Sequence, residues 1–382
     1  MAAKSGAKGY VLEELLRAYF IRAGLFAVRG VPLQADGEDL TDIDIWLYER
    51  PTGSSRRRQI VDVKSKLKPK AAERLFLTKG LYELLAVDGA YVATTDTRSL
   101  LKDISRRLGI QLLDGSDLKR ITESEKIVFP NRLTEEELDD RIKAIDKNRR
   151  SKTFQIAYHQ LKCSLLDNFG PGTVNRSLDH FGRFSAALTE SHPNSAAAEV
   201  LMRLCLIAAS FSSVSLDACL SKVSFKSSED RRRTILNVVR YGDEDEDRGI
   251  EKVRVAIALI AKYGPNGSAL SQSILRAIRE DYERIPAEII VDHVLTHLKS
   301  DGLFSVAKSL DSQAFNRDVL GFDELSLEEK GYVGSLLDFV GTDRAAFAEG
   351  WKLRPAVSLS KNSHVETPND RKDIGPLFKR KL

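Results

Sequence analysis

The residues best placed for chemistry lie in two segments with the period-2 alternation of a β-strand. In the first segment, Asp42, Asp44 and Trp46 share one face, and the aliphatic residues at positions 43, 45 and 47 share the other. In the second, Asp62 and Lys64 share a face. Residues two apart on a strand have Cα atoms about 6.6 Å apart on one side of the sheet. A carboxylate and an ammonium group at this spacing can therefore reach a common ligand.

The residues between the two segments, 49–58, contain Pro51 and Gly53 and are typical of a hairpin loop. A hairpin would bring Asp44 beside Asp62, so that two carboxylates and an ammonium group converge on one sheet face. Such a group could hold a divalent metal through oxygen ligands and place a cation beside an attacking water. Alternating charges are also what a solvent-exposed strand presents, so the pattern depends on the elements around it.

The first predicted element, 9–24, is an amphipathic helix that ends at Gly24. Glu13 lies at the border of its apolar stripe and is expected to face along the sheet toward the two aspartates. Glu14 projects away from the stripe and is expected to be solvated.

The first 122 residues predict an α/β sandwich around a mixed sheet. The order is helix, three strands, helix, strand, helix, strand. Besides the first helix and the hairpin, the predicted elements are a strand at 25–30, a helix at 71–86, a strand at 90–94, a helix at 99–108 and a strand at 111–114.

These segments resemble the PD-(D/E)xK nuclease superfamily, specifically the Mrr-type restriction endonuclease-like domain, over residues of about 5–122. Gly9-x-x-x-Glu13 resembles the glutamate motif of that family's first helix, and Thr41-Asp-Ile-Asp44 resembles its strand aspartate. Asp62-Val-Lys64 resembles the (D/E)xK signature. The family usually has Glu or Gln where Asp62 stands, and no Pro precedes Asp44. Residues 90–97 and 108–118 resemble its closing strand, helix and strand.

The resemblance implies a nuclease that hydrolyses phosphodiester bonds of DNA with Mg²⁺ or Mn²⁺. Asp44 and Asp62 would bind the metal, and Glu13 would join through the metal or its water. Lys64 would orient the attacking water or stabilise charge on the phosphate. This chemistry is needed because a phosphodiester repels nucleophiles, so hydrolysis requires a cation on its non-bridging oxygens and an activated water. A role in restriction or defence is an expectation from the family alone.

Two other functions remain open. The chain could be a nucleic-acid-binding or scaffold protein that keeps the fold without turnover. It could also be a nuclease for RNA or for branched structures, because these residues do not separate such substrates.

Basic residues surround the candidate site in the sequence, and a solvated charge run is the alternative interpretation. Nothing in this run reads base edges, so no sequence specificity is inferred. The residues that we predict to contact nucleic acid are Arg56, Arg57, Arg58, Lys66, Lys68, Lys70 and Lys79.

Composition predicts a soluble, cytoplasmic protein of two or three domains. The chain has 382 residues, of which 42% are hydrophobic and 30% charged, with a formal net charge of +4. Any nucleic-acid binding must therefore come from local patches. We find no apolar run near the roughly 20 residues of a membrane span and no signal-peptide core. The three cysteines are predicted to be reduced core thiols rather than zinc ligands: Cys163, Cys205 and Cys219.

The rest of the chain predicts a charged linker at 123–152, a helical domain at 153–352 and a flexible basic tail at 353–382. The linker should contain a solvated helix that opens with a capping box from Thr134 to Glu137. The helical domain is expected to serve targeting or assembly, as a homo-oligomer or with a protein partner. Its predicted helices lie around 154–166, 195–211, 231–240, 250–262, 270–282, 287–298 and 326–340.

Two further patterns in this region have simpler interpretations. Residues 270–304 could form a helix-turn-helix with a wing, although two ordinary packed helices are favoured. His293 and His297 could share a metal, but no third ligand is apparent, so surface or core histidines are favoured.

Overall fold

The computed structural model describes residues 6–64, 70–124, 129–298 and 301–351. The predicted tail at 353–382 lies outside these ranges, and so do Lys66 and Lys68. The described chain forms a mixed sheet with helices, followed by a helical region. This confirms the predicted order of an α/β part and a mostly helical part.

The N-terminal part follows the predicted order of elements and adds one helix, α4, that was not predicted. Its sheet has the order β1-β2-β3-β4-β5, in which the first two pairs are antiparallel and the last two parallel. The elements are α1 (Gly6–Arg22), β1 (Phe26–Ala35), β2 (Glu38–Glu49), β3 (Arg57–Lys64), α2 (Ala71–Leu84), β4 (Gly89–Thr94), α3 (Ser99–Leu108), β5 (Gln111–Leu113) and α4 (Gly115–Thr122).

The helical part contains more helices than the sequence patterns predicted. Its elements are α5 (Glu135–Arg149), α6 (Thr153–Cys163), α7 (Pro171–Thr189), α8 (Ala196–Lys222), α9 (Ser228–Tyr241), α10 (Glu246–Tyr263), α11 (Gly267–Glu283), α12 (Ala287–Asp292) with a π-helical turn (His293–His297), α13 (Gly302–Phe315), a 3₁₀ turn (Phe322–Glu324), α14 (Leu327–Val340) and α15 (Arg344–Gly350).

Three of these helices, α7, α13 and α15, were missed. Pro171 stands at the start of α7, where the missing N–H removes no helical hydrogen bond. The segment from Gly302 is helical rather than a wing, so the disfavoured winged helix-turn-helix is wrong.

The two faces of the sheet pack against different layers. On one face, α1 and α4 cover Ile45, Leu47 and Val61. The other face carries Trp46 and Tyr48, both fully buried, and is continuous with the core of the helical part. The Trp46 and Phe169 rings lie 5.1 Å apart, and those of Tyr48 and Phe304 lie 5.8 Å apart. The aromatic face of the sheet is therefore buried only in the presence of the helices.

One strand position departs from the predicted alternation. Ile43 was expected to share a face with Ile45 and Leu47, but it packs in the core that contains Trp46. Gly30 of β1 has a φ of +55° and lies between the residues that pair with Ile43 and Ile45. A left-handed residue in a strand interrupts its regular twist and alternation.

The longest described helix, α8, lies at the centre of the helical core. It has 27 residues and an apolar window with a mean hydropathy of 1.6, so its length and composition would allow it to cross a membrane. The expectation that no apolar run approaches this length was therefore wrong. In the folded chain 89% of that window is buried inside the protein, which is the environment of a core helix.

The sequence suggested that the linker helix is solvated. The structure shows instead that this helix, α5, is packed against the core. The capping box between Thr134 and Glu137 is present. However, Leu138, Ile142 and Ile145 are buried in the main core. These three aliphatic residues are four and three residues apart and form one face of the helix. The many charged residues around them made this face hard to recognise in the sequence. The helix therefore connects the two parts as a packed element.

Candidate active site

The two predicted metal ligands lie where β2 and β3 separate. The pairing of these strands ends at Ile45 and Val61. Beyond that pair, the Asp44 carboxylate accepts the backbone N–H of Val63, with 2.6 Å between nitrogen and oxygen. The Asp44 side chain thus accepts a hydrogen bond that a backbone carbonyl of β2 would accept in a regular strand pair. This fork places Asp44 beside Asp62.

A shallow pocket opens at the fork. Both Asp44 and Asp62 line it, as the hairpin predicted. Its lining residues are Asp42, Ile43, Asp44, Ile60, Val61, Asp62, Thr78 and Leu81. The pocket is therefore strongly acidic.

Asp44 is a carboxylate without full charge compensation. Burial raises its pKa above the ordinary range, and the neighbouring Asp42 adds to that effect. The Val63 amide and the positive charges of Lys64 and Arg74 act in the opposite direction. A partly desolvated carboxylate of this kind favours an additional cation nearby.

Asp62 is held by a cation that the motifs did not include. Arg74 of α2 donates two hydrogen bonds to it, one from Nε at 2.9 Å to Oδ2 and one from Nη2 to Oδ1. The Asp62 side chain is 8% exposed and that of Arg74 26% exposed. This is the bidentate geometry of a strong arginine–carboxylate pair.

Lys64 lies close to Asp44, two residues after Asp62 on β3. Its charge acts on Asp44, and it is half-buried at the end of β3. Among the described residues, no hydrogen bond or ion pair engages its ammonium group. The predicted pair of Asp62 and Lys64 thus stands beside Asp44.

Glu13 reaches the border of this group from α1. It is close enough to Asp44 for that charge to raise its pKa, although burial is the larger cause. Arg29 of β1 donates to Glu13 Oε2 from Nη2 at 2.8 Å and from Nε at 3.3 Å. Glu13 is therefore oriented by an arginine rather than facing the pocket freely.

Glu14 is not solvated, contrary to the expectation from its helix position. It accepts hydrogen bonds from Arg29 Nη1 at 2.6 Å and from the backbone N–H of Glu135 at 3.0 Å. Its side chain is 19% exposed. The helix phase alone did not predict this because the contacts come from β1 and α5, which lie far away in the sequence.

The basic residues of the β2–β3 loop lie away from the pocket. Arg57 and Asp62 are five residues apart on one strand, which separates their Cα atoms by about 16 Å. Arg56 and Arg50 form ion pairs with Asp217 of α8. Arg56 is buried in this contact between the sheet and the helical part, so we do not include it in a DNA-binding surface.

Arg58 also contacts the protein itself. Its Nη2 donates to the carbonyl of Ala86 at 2.7 Å, and its guanidinium lies over the Phe169 ring. Arg57 is exposed at the surface. The four residues Arg56, Arg57, Arg58 and Arg50 are thus not equivalent, and only Arg57 projects freely into solvent.

Two predicted basic residues lie in or next to the helix that contributes Thr78 and Leu81 to the pocket: Lys70 immediately precedes α2, and Lys79 lies within it. Lys70 is 76% exposed and pairs with Glu73 at 3.1 Å. Lys79 is 32% exposed and pairs with Glu83 at 2.7 Å. Exposed pairs of this type are weak and exchange readily with solvent or another anion.

The donor atoms of the pocket fit a hard divalent cation in part. Asp44 and Asp62 offer carboxylate oxygens, which suit Mg²⁺ together with several waters. Thr78 adds a buried hydroxyl without a hydrogen-bond partner in the described part of the chain. However, Arg74 already donates hydrogen bonds to both carboxylate oxygens of Asp62. Within the described ranges, no cluster of three or more His, Cys, Asp or Glu residues has metal-binding geometry. The fit thus requires that Arg74 leaves Asp62.

Three residues at the site were absent from the prediction: Asp42 and Thr78, which line the pocket, and Arg74, which binds Asp62. Asp42 had a signal, because the alternation placed it on the face of Asp44. Arg74 and Thr78 are four residues apart on the helix that follows β3, which was a signal for a shared face. Nothing in the sequence indicated that this face turns toward Asp62.

No family model, curated protein or solved structure matches this chain. The membership of the PD-(D/E)xK superfamily therefore stays a prediction from the motifs and their order.

Proposed function

We propose that the chain is a metal-dependent nuclease that hydrolyses phosphodiester bonds of DNA, with Mg²⁺ or Mn²⁺ as its cofactor. The observation that supports this best is the convergence of Asp44, Asp62 and Lys64 at the fork between β2 and β3. Asp44 and Asp62 line one pocket there, and the positive charge of Lys64 is near enough to act on Asp44. This is the set that phosphodiester hydrolysis requires.

Each residue has a distinct role in this proposal. Asp44 and Asp62 would hold the divalent cation, which would supply Lewis-acid activation of a water and neutralise phosphate charge. The Lys64 ammonium orients the attacking water or stabilises charge that develops on the phosphate. Glu13, fixed by Arg29, orients a water at the edge of the pocket.

The DNA backbone would approach along α2. Lys70 immediately precedes this helix and Lys79 lies within it, and such lysines contribute non-specific, salt-dependent phosphate contacts. Arg57 at the far end of β3 would contact DNA only if the duplex extends about 16 Å along the strand. The helical part would then serve targeting or assembly, alone or with a protein partner.

A second function has one specific observation in its favour. Arg74 neutralises Asp62 through a bidentate contact. If this pair never opens, Asp62 is not available to a metal, and the chain is a nucleic-acid-binding or scaffold protein that keeps a non-cleaving site.

A cleavage assay separates these two functions. The full-length protein is incubated with supercoiled, linear and single-stranded DNA, and with RNA, in the presence of Mg²⁺, Mn²⁺ or EDTA. The nuclease proposal predicts metal-dependent cutting that is lost in Asp62→Ala and retained in Asp103→Ala, an exposed aspartate of α3. Binding of DNA without cutting under every condition supports the scaffold function, and cutting of RNA alone changes the substrate class.

A further inference from the structure

Two polar side chains of α2 face the pocket region, and neither of them belongs to any of the motifs. Arg74 and Thr78 are four residues apart and are neighbours on one helix face. Thr78 lines the pocket and is fully buried, and its hydroxyl has no hydrogen-bond partner among the described residues. Most buried hydroxyl groups in folded proteins are hydrogen-bonded. This face therefore has unused capacity to bind a polar group.

Arg74 is placed to exchange one oxyanion for another. Its Nε and Nη2 contact the two oxygens of Asp62 separately. The same two guanidinium donors fit two non-bridging oxygens of a phosphate, because the oxygen atoms of carboxylate and phosphate groups are similarly spaced. The Arg74 side chain is 26% exposed, so a ligand in the pocket can reach it.

The charge of the pocket makes such an exchange useful. Asp42, Asp44 and Asp62 all line it, and three carboxylates repel a phosphodiester. Arg74 cannot attract a phosphate fully while it compensates Asp62. In turn, Asp62 can offer both oxygens to a divalent cation only after Arg74 has left.

We infer that α2 forms the subsite for the scissile phosphate. Without substrate, Arg74 pairs with Asp62; with substrate, it pairs with non-bridging oxygens of the phosphate. Thr78 donates a hydrogen bond to the phosphate or to a water that the phosphate holds. This inference rests on the proposed nuclease function and adds that metal and substrate binding assist each other through Arg74. Such coupling between two ligands is reciprocal.

Metal binding without DNA tests the role of Arg74 independently of activity. Mn²⁺ is titrated into full-length protein by calorimetry, with wild type compared with Arg74→Met, Arg74→Lys and Asp62→Asn. Removal of the competing guanidinium should tighten Mn²⁺ binding by about tenfold in Arg74→Met, within the usual range of coupling between sites. Arg74→Lys should lie between wild type and Arg74→Met, because one ammonium group cannot form the fork. Asp62→Asn should weaken binding.

Binding of Mn²⁺ to Arg74→Met that is no tighter than to wild type would overturn the inference. Circular dichroism checks that the variant is folded. If Arg74→Met fails to fold, Arg74→Lys carries the same test, and an affinity equal to that of wild type contradicts the exchange.

Thr78→Val tests the other half of the subsite. Valine has nearly the shape of threonine, and the lost hydroxyl has no partner among the described residues, so the melting temperature should stay the same or rise. Single-turnover cleavage by Thr78→Val should nevertheless slow by about tenfold or more, as expected for a lost contact in the reacting complex. Wild-type cleavage rates in both Arg74→Met and Thr78→Val would refute the subsite while leaving the nuclease proposal standing. If the wild type cuts no substrate, the proposed function fails, and the Mn²⁺ titration still decides whether Arg74 competes for Asp62.

Discussion

Arg29 is the residue that connects the candidate site to the rest of the molecule. Its guanidinium contacts Glu13 and Glu14 of α1 and Glu136 of α5, at 2.6 to 2.8 Å for the closest atom pairs. The side chain is 3% exposed, so these contacts are screened little by solvent. Three carboxylates around one buried arginine fix the orientation of Glu13.

His180 of α7 provides a prediction about pH. It is buried against the Phe184 ring, and neither ring nitrogen has a hydrogen-bond partner within the described ranges. Burial lowers its pKa from 6.5 to about 4. As the pH falls below 6.5, the unfolded chain takes up a proton that the folded chain does not, so the free energy of unfolding decreases. The decrease reaches about 2 kcal/mol at pH 5 and about 3 kcal/mol near pH 4.

His180→Leu should remove this part of the pH dependence. Denaturant unfolding of wild type and variant is measured at pH 7 and pH 5, and the carboxylates common to both proteins cancel in the comparison. Between pH 7 and pH 5, the free energy of unfolding should decrease by about 2 kcal/mol more in the wild type than in the variant. Equal losses would show that His180 titrates normally in the folded protein.

At the scale of residues, the sequence predicted the groups that lie on one strand or on neighbouring strands. Asp44, Asp62 and Lys64 meet because period-2 alternation and a hairpin are local properties. Arg74 could not be assigned to Asp62, because the direction of α2 depends on packing of Leu75 and other apolar residues beneath it. Arg56 was misplaced for the same reason, since its partner Asp217 is 161 residues away.

At the scale of elements, α5 is the connection that the sequence patterns described least well. Its first turn carries three glutamates, which suggested a solvated helix. Glu135 instead accepts hydrogen bonds from the Tyr158 hydroxyl at 2.6 Å and from Lys162 Nζ at 2.8 Å, and Arg17 lies 3.6 Å away. A glutamate run does not reveal whether cations from distant elements will surround it.

Glu135→Ala should destabilise the protein by about 3 to 5 kcal/mol, because it leaves Lys162 and Arg17 buried without their shared carboxylate. Asp139→Ala on the same helix is the matched control. Its side chain is 42% exposed and pairs with Lys143, so its effect should stay within about 0.5 kcal/mol. Urea unfolding measures both, and similar values for the two variants would mean that the ion pairs of Glu135 contribute little.

At the scale of the whole molecule, the sheet and the helical part share one core. Phe26 of β1 packs 6.2 Å from Phe211 of α8, between ring centres. Tyr48 and Arg56 both donate to Asp217 of α8. Separation of the two parts would expose the aromatic face of the sheet and leave buried charges unpaired, so we expect them to unfold together.

The two tryptophans make this cooperativity measurable. Trp46 lies in the sheet and Trp351 at the end of the helical part, and the chain has no others. In Trp46→Phe and in Trp351→Phe, the remaining fluorescence signal should change at the same denaturant concentration as the far-ultraviolet circular dichroism of that variant. A Trp46 signal lost while the helical dichroism persists would show that the sheet unfolds separately.

The overall architecture was more predictable than its contacts. Alternation and helix spacing gave the order of the elements in the first 122 residues, because these patterns depend on near neighbours. The burial of α5 and α8 against the sheet depends on many distant residues at once. For this reason the sequence suggested separate parts and a solvated linker where the structure has one continuous core.

The proposed function depends most on the claim that Asp44, Asp62 and Lys64 form one hydrolytic site. The most direct measurement is single-turnover cleavage of DNA in Mg²⁺ by wild type, Asp44→Asn and Lys64→Ala, with Lys226→Ala as a control for the loss of one exposed positive charge. We expect a reduction of about 100-fold or more in Asp44→Asn and Lys64→Ala, with normal melting temperatures, and an unchanged rate in Lys226→Ala. Cleavage at the wild-type rate by folded, metal-dependent Lys64→Ala or Asp44→Asn would contradict the account, because the chemistry would then take place elsewhere.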